Sequence, residues 1–471
     1  KAGHVEEFFA AYESLEAAWS RYLCEAEIPV DMTSALMNTE LAGVGTNNLY
    51  WLTEAGGGNF QVLAVDGSDT QRGDAVAANM IERWCTANFA VGERLIYQEV
   101  VGMPAGRFVF KAAVQKGREQ GAIELFANQA GEPVMSPLVL RNCSVSTIVK
   151  GGNLSVGVRS AEANACQWVS MTDFVLEYHS PVMLLNEALA EAAALNYGTD
   201  SDNALQTAVS EAQGMLAEGT ASERVAAYES LLKAINQYKI KNASAEHPVD
   251  MTEYVKNGDF RKRRLGGWTS ATSAVAAFCQ GAMEVYHAPF DFSQTVSGLP
   301  IGNYRFSMQA RSNSGADNST FGIYLKNASG EPTMVYAADK TRADGTNAGL
   351  HLGQNADDFK ADAEVSRIAA ETFSTGEVTV GMSCTSANMW CVLGGLRLEY
   401  TGVDNSELLT NWNEQVKVAN GLDRTAMNDT VAALLDKAVD VEITKIDTDS
   451  LSKALKNLMT QIGSARKFIQ V

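Results

Sequence analysis

The sequence predicts a modular protein of the α plus all-β class, in which two β-sandwiches alternate with helical segments. The first observation is an internal repeat at an offset of roughly 200 to 220 residues. AAYESL stands at 10–15 and again at 226–231, and PVDMT stands at 29–33 and again at 248–252. The second is that helical periodicity and short alternating runs occupy different parts of the chain. A chain that contains the same succession of motifs twice is best interpreted as an array of modules.

Length and charge limit the protein class. A chain of 471 residues suggests about three domains of roughly 150 residues each. Lys plus Arg number 37 against 56 Asp plus Glu, a formal charge of −19. This excess argues against nucleic acid or an anionic membrane as a partner, because both require clustered basic residues. The basic run 261–264 adjoins a Gly-Gly turn and is interpreted as a solvated loop. No stretch approaches the ~18 apolar residues of a membrane span.

Residues 1–27 are predicted to form one amphipathic helix. Because AAYESL recurs in the last helical stripe of 181–246, this helix is interpreted as the remnant of a preceding helical module. We accordingly expect the natural protein to extend further in the N-terminal direction. The apolar residues recur at three-to-four spacing: Val5, Phe8, Phe9, Tyr12, Leu15, Trp19, Tyr22 and Leu23.

The segments 181–246 and 402–471 contain no proline after position 181, and each shows three apolar stripes at helical spacing. Ser180 followed by Pro181 is a helix start, because the hydroxyl can cap the helix and the proline lacks an N–H that would be unpaired there anyway. Gly219 stands in a break between stripes. Each segment is therefore predicted to be a three-helix bundle with short connections.

The segments 28–180 and 247–401 are predicted to be all-β. Their short alternating runs are bounded by Gly, Pro, Asn and Ser, a pattern that favours a sandwich over a parallel sheet. The stretch 357–373 has no counterpart in the first copy, and its spacing predicts a short surface helix. The predicted strands are 107–114, 122–128, 153–160, 174–178, 304–311, 321–327, 377–383 and 396–400.

Several short motifs occur in both β segments. They are Asp31-Met32-Thr33 leading to Asn38 and Asp250-Met251-Thr252 leading to Asn257; Gly267-Trp268 with Tyr50-Trp51; Glu82-Arg83-Trp84 with Glu284-Val285-Tyr286; and a closing Trp followed by a strand that ends in Tyr. This pattern resembles a family of secreted or surface-anchored proteins of Bacteroides-type gut bacteria. The resemblance implies galactose-binding-like, carbohydrate-binding-module-like jelly-roll domains joined by helical spacers.

The same resemblance implies a glycan or a surface protein as the ligand. Sugar binding requires an exposed aromatic face with polar neighbours. The recurrence of Trp84 as Tyr286, and of Trp168 as Trp390, is also what core positions show after duplication, and we predict that Trp168 and Trp390 are core. The ligand candidates are Trp51, Trp268, Trp84 and Tyr286, with Arg118 and Arg311 as forked donors.

A jelly roll of this kind often holds a structural calcium ion, and no other cofactor is predicted. The candidate ligands are Asn38, Glu40 and Asp173 in the first copy and Asn257 and Asp259 in the second. The second copy has Gly395 where the first has Asp173. Turn formation and N-capping explain these Asn and Asp residues equally well.

Catalytic motifs are lacking in the sequence. It has no H-E-x-x-H, no G-x-S-x-G and no phosphate-binding glycine loop, and its five His residues are scattered. A glycosidase needs only two suitably spaced carboxylates, which 56 acidic residues supply by chance. The seven Cys show no C-x-x-C spacing and are interpreted as buried free thiols. Cys384 and Cys391 could alternatively pair across a hairpin.

These observations predict a non-catalytic protein that binds glycan or acts in adhesion outside the cell, at the surface, in the medium or in the periplasm. Two alternatives remain open. One is a structural or protein-binding scaffold without a small-ligand site. The other is a glycoside hydrolase or its accessory chain.

Overall fold

The computed structural model divides into two compact units, Lys1–Tyr238 and Lys239–Val471. The structure describes residues 2–45, 48–66, 70–117, 123–134, 138–161, 167–195, 203–260, 265–274, 276–279, 282–312, 320–327, 332–337, 367–441, 443 and 448–469.

Unit 1 begins with a helix, continues as an antiparallel β structure and ends with three helices. Its sheet has the order β2-β3-β8-β4-β7-β5-β6, with β1 added to β8. The elements are α1 Ala2–Glu25, β1 Val30–Asp31, β2 Asn59–Ala64, β3 Asn79–Trp84, β4 Arg94–Lys116, β5 Ile123–Ala127, β6 Ala130–Pro133, β7 Arg141–Ser160, β8 Trp168–His179, α2 Pro181–Ala193, α3 Ala204–Glu218 and α4 Ala221–Lys241.

The strands β4 and β7 of unit 1 are long enough to belong to two layers. Pairing between them is irregular between Val100 and Met103. The part of β4 after this point pairs with β8, whereas the part of β7 opposite the start of β4 pairs with β5. One layer thus contains β3 and β8, and the other contains β5. Ile81 of β3 and Leu125 of β5 lie in one hydrophobic core, so the layers pack face to face. The predicted sandwich is confirmed.

Unit 2 repeats this arrangement with two separate antiparallel sheets. Their orders are β10-β13-β18-β15-β16 and β11-β12-β19-β14-β17, with β9 added to β19, and they share one core. The elements are β9 Val249–Asp250, β10 Thr269–Ser270, β11 Ala276–Cys279, β12 Ala282–Tyr286, β13 Phe290–Ser297, β14 Gly302–Ser312, β15 Phe321–Asn327, β16 Thr333–Tyr336, β17 Arg367–Ser374, β18 Glu377–Cys384, β19 Trp390–Gly402, α5 Asn405–Asn420, α6 Asp429–Val439 and α7 Thr448–Ile469.

The helix predicted for 357–373 is wrong over its described part. Residues 357–366 lie outside the described residues, and Arg367–Ser374 is strand β17. This strand pairs with β14 from Gly302↔Ser374 to Gln309↔Arg367. Hydrogen bonding to a neighbouring strand has overridden a local spacing that was too short to decide between helix and strand.

Equivalent side chains fasten the first loop of each sandwich to its core. The Gln98 amide accepts a hydrogen bond from the Met37 N–H at 2.9 Å and donates one to the Met37 carbonyl at 2.6 Å. Gln294 makes the same pair of bonds with the backbone of Lys256, at 2.7 and 2.9 Å. Both Gln side chains are buried. They thus pair backbone N–H and carbonyl groups of a loop that has no strand partner there.

Helix α2 begins where the sequence predicts its cap. The Ser180 Oγ accepts a hydrogen bond from the Met183 N–H at 3.0 Å, and Pro181 occupies the first turn of α2. Buried residues of α2, α3 and α4 form one hydrophobic core, and α5, α6 and α7 share another. Among the described residues, no helix is long and apolar enough to cross a membrane.

His179 supplies a pH-dependent contribution to the stability of unit 1. It ends β8, its side chain is 17% exposed, and both ring nitrogens lack hydrogen-bond partners among the described residues. Burial and the nearby Arg107 cation lower the pKa of His179 from its usual 6.5. The unfolded chain therefore binds more protons below about pH 6.5, so stability is complete above that pH and falls as the solution is acidified.

We expect the melting temperature of unit 1 to fall between pH 7 and pH 5, and His179→Gln to reduce that fall. Carboxylates with lowered pKa, such as Asp74, lose their contribution only at lower pH. The exposed His247 provides the control variant His247→Gln, which should melt like the parent chain. An unchanged fall in the His179 variant would contradict this assignment. Thermal denaturation by circular dichroism at both pH values provides the measurement.

Candidate functional site

Each sandwich carries an aromatic pair on the outer face of one layer. In unit 1, Trp84 of β3 lies directly opposite Trp168 of β8. In unit 2, Tyr286 of β12 lies opposite Trp390 of β19. Directly paired residues share a face, and their neighbours along the strands, such as Ile81, point into the core. We call these two sites the outer-face aromatic pairs.

The pair in unit 1 combines one exposed ring with one anchored ring. Trp84 is 39% exposed, whereas Trp168 is half-buried. The Trp168 Nε1–H donates to Glu82 Oε2 at 2.8 Å, and Gln61 Nε2 donates to Glu82 Oε1 at 2.8 Å. Glu82 is buried, and these two donors compensate its loss of water. The carboxylate therefore fixes Trp168 beside the exposed Trp84.

A second polar group lies further along the same face. The Gln115 amide donates to Ser170 Oγ at 2.6 Å and to Thr70 Oγ1 at 3.0 Å. Gln115 is fully buried and its Oε1 has no hydrogen-bond partner among the described residues. Ser170 pairs with Glu82 across β3 and β8, so the two polar groups are adjacent.

The pair in unit 2 presents a more exposed ring. Tyr286 is 62% exposed and stacks on His287 with ring centroids 4.1 Å apart and an interplanar angle of 9°. Trp390 meets Tyr286 edge-on, with centroids 5.5 Å apart. Glu284 lies two residues before Tyr286 on the same face and is buried. The exposed ring thus lies beside a half-buried Trp and on the same sheet face as a buried Glu, as in unit 1.

Trp51 and Trp268 are placed in the cores instead. Trp51 is 3% exposed, packs on Phe174 with centroids 4.4 Å apart, and donates from Nε1 to the Asn38 carbonyl at 3.2 Å. Trp268 is 8% exposed and packs on Phe260 with centroids 5.8 Å apart. Their Gly-rich surroundings fold over the core, so neither ring offers a face to a ligand.

The two predicted forked donors cannot be placed at a site. Arg118 lies outside the described residues. The backbone of Arg311 belongs to β14 and pairs with Val392 of β19, but its side chain is not among those described. The backbone register places Arg311 at the position equivalent to Gln115, since both pair with the second residue after the aromatic-pair Trp.

The predicted calcium ligands lie in turns or accept backbone hydrogen bonds. Both Asp173 carboxylate oxygens accept backbone N–H groups, from Val76 at 2.7 Å and from Ala77 at 2.9 Å. Asp173 has a φ of 55° and Gly395 a φ of 54°, so the two copies share a left-handed backbone rather than a carboxylate. The predicted metal role of Asp173 stays a prediction.

The other four candidates lie in the turns that follow the D-M-T motifs. Asn38 and Asn257 have φ values of 52° and 50°, a conformation that Asn tolerates well, and Glu40 and Asp259 are exposed. Among the described residues, no group of three or more His, Cys, Asp or Glu is placed to hold a metal ion.

Cys384 and Cys391 are buried free thiols at facing ends of β18 and β19. A hydrogen bond between the two side chains lowers the pKa of Cys384 to about 7, against the opposing effect of burial. Burial and the neighbouring Cys384 raise the pKa of Cys391. Both thiols belong to the core of unit 2, away from the outer face that carries Tyr286.

The sequence motifs located Trp84 and Tyr286 but missed their partners. Trp168 and Trp390 were expected in the core, yet both are half-buried on the outer face, where Trp168 packs against a small second cluster that includes Met80. Glu82 and Glu284 stand two residues before the exposed rings in both copies. The period-two spacing of Glu82 and Trp84 was the available signal, because it places both side chains on one face of a strand.

Comparison with known proteins shows local similarity to solved structures. No family model and no curated protein matches the chain. The similar solved structures include carbohydrate-binding modules. One is TmCBM61 in complex with β-1,4-galactotriose, at 18% identity, a TM-score of 0.21, and coverage of 31% of this chain and 96% of that one. A putative sugar binding protein from Bacteroides thetaiotaomicron matches at 10% identity, a TM-score of 0.23, and coverage of 31% and 99%.

A third similar structure contains the CBM51-2 and INT domains of Clostridium perfringens ZmpB in complex with GlcNAc. It matches at 16% identity and a TM-score of 0.17, and covers 46% of this chain and 51% of that one.

Proposed function

We propose that this chain is a non-catalytic, extracellular carbohydrate-binding protein that contacts sugar through the outer-face aromatic pairs. The observation that carries the proposal is the recurrence of one arrangement in both units. In each, an exposed ring stands beside a half-buried Trp and two residues after a buried Glu. Core packing does not account for Tyr286, which is 62% exposed. The family resemblance of the motifs that contain these residues supports the same function.

The chemistry of the pairs suits a pyranose ring. The apolar C–H face of a sugar packs on an aromatic face, while its hydroxyl groups need donors and acceptors at the rim. His287 covers one face of Tyr286, and the exposed remainder of the ring is the stacking surface. In unit 1, the half-buried Gln61 amide, which donates to the buried Glu82, lies on the same sheet face as Trp84. Such a polar group orients a ligand that the aromatic ring holds.

We expect Tyr286→Ala and Trp84→Ala each to weaken glycan binding by about tenfold. Loss of one stacking contact is worth about 1.5 kcal/mol, which corresponds to that factor in the dissociation constant. Melting temperatures should change little, because the rings are exposed. The matched control is Tyr336→Ala, since Tyr336 is 49% exposed but belongs to the other sheet of unit 2. A glycan array identifies a ligand, and calorimetry then compares the variants.

The same experiment separates the proposal from its alternatives. A parent chain that retains no glycan, or variants that bind as well as the Tyr336 control, would favour a protein-binding scaffold. Release of reducing sugar that disappears in a Glu82→Gln variant would contradict the absence of catalysis. Protease accessibility on intact cells tests the extracellular location, which the family resemblance supports.

A further inference from the structure

The N-terminal helix α1 leaves its apolar side uncovered. Seven large apolar side chains are exposed, from 49% at Trp19 to 68% at Leu15. By contrast, Leu23 and Ala26 at the end of the helix join the core of the first sandwich. A continuous apolar surface of this size on a protein marks an interaction site. We call the exposed set the α1 stripe: Val5, Phe8, Phe9, Tyr12, Leu15, Trp19 and Tyr22.

Aligned on the repeat, the α1 stripe coincides with the side of α4 that faces its core. The two AAYESL segments set the offset between the helices at 216 residues. At this offset Tyr12, Leu15 and Tyr22 coincide with identical residues of α4. Trp19 coincides with Ile235, which is fully buried. The α4 residues at the three identical positions all pack in the core formed with α2 and α3: Tyr228, Leu231 and Tyr238.

The partners of α4 show what such a stripe packs against. Residues from α2 and α3 complete that core, and nearly all of their side chains are short or aliphatic. Tyr238 additionally donates from its hydroxyl to the Leu195 carbonyl at the end of α2, at 3.1 Å. The buried residues of the two helices are Pro181, Leu184, Leu185, Ala188, Ala192, Leu205, Val209 and Ala212.

We propose that the α1 stripe docks a helical hairpin of the α2–α3 type, that is, two consecutive amphipathic helices with small aliphatic residues on one face. At three positions the stripe has an aromatic ring where α4 has a charged or a smaller aliphatic side chain. Phe8, Phe9 and Trp19 stand where α4 has Arg224, Val225 and Ile235. The facing residues of the hairpin must therefore be smaller than those of α2 and α3, with Ala or Gly opposite the rings.

Charge defines the rim of the docked hairpin and argues against a second copy of α1 as the occupant. Residues 2–25 contain five Glu and one Arg. Glu16 borders the stripe and raises the pKa of Tyr12. Two α1 helices packed together would bring these carboxylates into mutual repulsion, whereas Lys or Arg at the rim of a hairpin would pair with them.

A graft within the whole chain tests the proposal. Because residue 221 coincides with Val5, residues 181–220 placed directly before Val5 reproduce the join between the hairpin and α4. We expect this graft to reduce binding of the dye ANS severalfold. It should also slow tryptic cleavage after the exposed Arg21 at least tenfold. A second graft that carries Phe9→Val and Trp19→Ile relieves overpacking and should protect at least as well.

The control graft carries Leu184→Glu and Leu205→Glu in its added copy. It should neither reduce ANS binding nor slow cleavage after Arg21. If neither active graft lowers dye binding nor protects Arg21, the proposal is overturned. It is also overturned if the ungrafted chain sediments as a dimer at micromolar concentration and Leu15→Glu converts it to a monomer, because the occupant is then a second copy. An ungrafted chain that is monomeric and binds ANS supports the proposal.

Discussion

Replacing Trp268 by alanine is expected to lower the melting temperature of unit 2 by on the order of 10 °C. The ring is 8% exposed and packs on Phe260 in the core. Removal of a buried Trp costs about 3–5 kcal/mol, because transfer energy is lost and a cavity remains. For a unit of this size each kcal/mol shifts the transition by about 2–4 °C. Glycan binding by unit 1 should persist in this variant.

Phenylalanine variants separate the two buried Trp residues. The Trp268 Nε1–H is buried without a hydrogen-bond partner among the described residues, so Trp268→Phe removes a cost along with some packing and should be nearly neutral. Trp51→Phe additionally removes the donor to the Asn38 carbonyl, which should cost about 1 kcal/mol more. Differential scanning calorimetry measures both. A Trp268→Ala variant that melts like the parent but loses glycan would place this ring at the ligand.

The sequence sufficed for the sandwiches because strand periodicity is a local property. Runs such as 377–383 alternate with period two, and β18 covers that run. The burial of Trp51 and Trp268 could not be predicted in the same way. Both stand in Gly-rich loop sequence, and whether such a loop covers the core depends on distant contacts, such as the bond from Trp51 to the Asn38 carbonyl.

The outer-face aromatic pairs were only half visible in the sequence for a related reason. In β3, Met80, Ile81, Glu82 and Arg83 are all buried, although successive residues point to opposite faces. A loop that includes Val65 and Ala75 covers part of the outer face, so apolar residues occur on both sides of the strand. Alternation therefore could not show which side carries Trp84, and recurrence alone favoured a core position.

Replacing Arg83 by methionine is expected to destabilise unit 1 by about 3 kcal/mol, which corresponds to a fall of about 6–12 °C in its melting temperature. Arg83 is 2% exposed, and among the described residues no carboxylate hydrogen-bonds to it. Its guanidinium donates to four backbone carbonyls: Ala55 at 2.6 Å, Asn59 at 2.8 Å, Trp84 at 2.9 Å, and Gly57. An aliphatic side chain of similar length would remove the guanidinium donor from all four carbonyls, of which Gly57 retains a contact from the Cys85 thiol.

The second copy shows why this Arg is tied to a loop. Val285 occupies the equivalent position of β12 and is fully buried in the core of unit 2. Unit 1 instead has the run 55–58, Ala-Gly-Gly-Gly, in which Gly58 has a φ of 65° and leaves no room for a side chain beside the Trp84 carbonyl. Such a loop has little apolar surface to bury. The forked guanidinium therefore stabilises it through hydrogen bonds, whereas Val285 stabilises unit 2 by packing in the core.

Two further variants make the Arg83 prediction specific. Arg141 is 57% exposed and pairs with Asp74 at the surface, so Arg141→Met should cost no more than about 1 kcal/mol. Arg83→Lys keeps the charge but loses the fork, and should fall between the parent and Arg83→Met. Equal melting temperatures for Arg83→Met and Arg141→Met would show that the carbonyls find other donors. Because Arg83 also bonds to the Trp84 carbonyl, Arg83→Met should weaken glycan binding by unit 1 and leave binding by unit 2 unchanged.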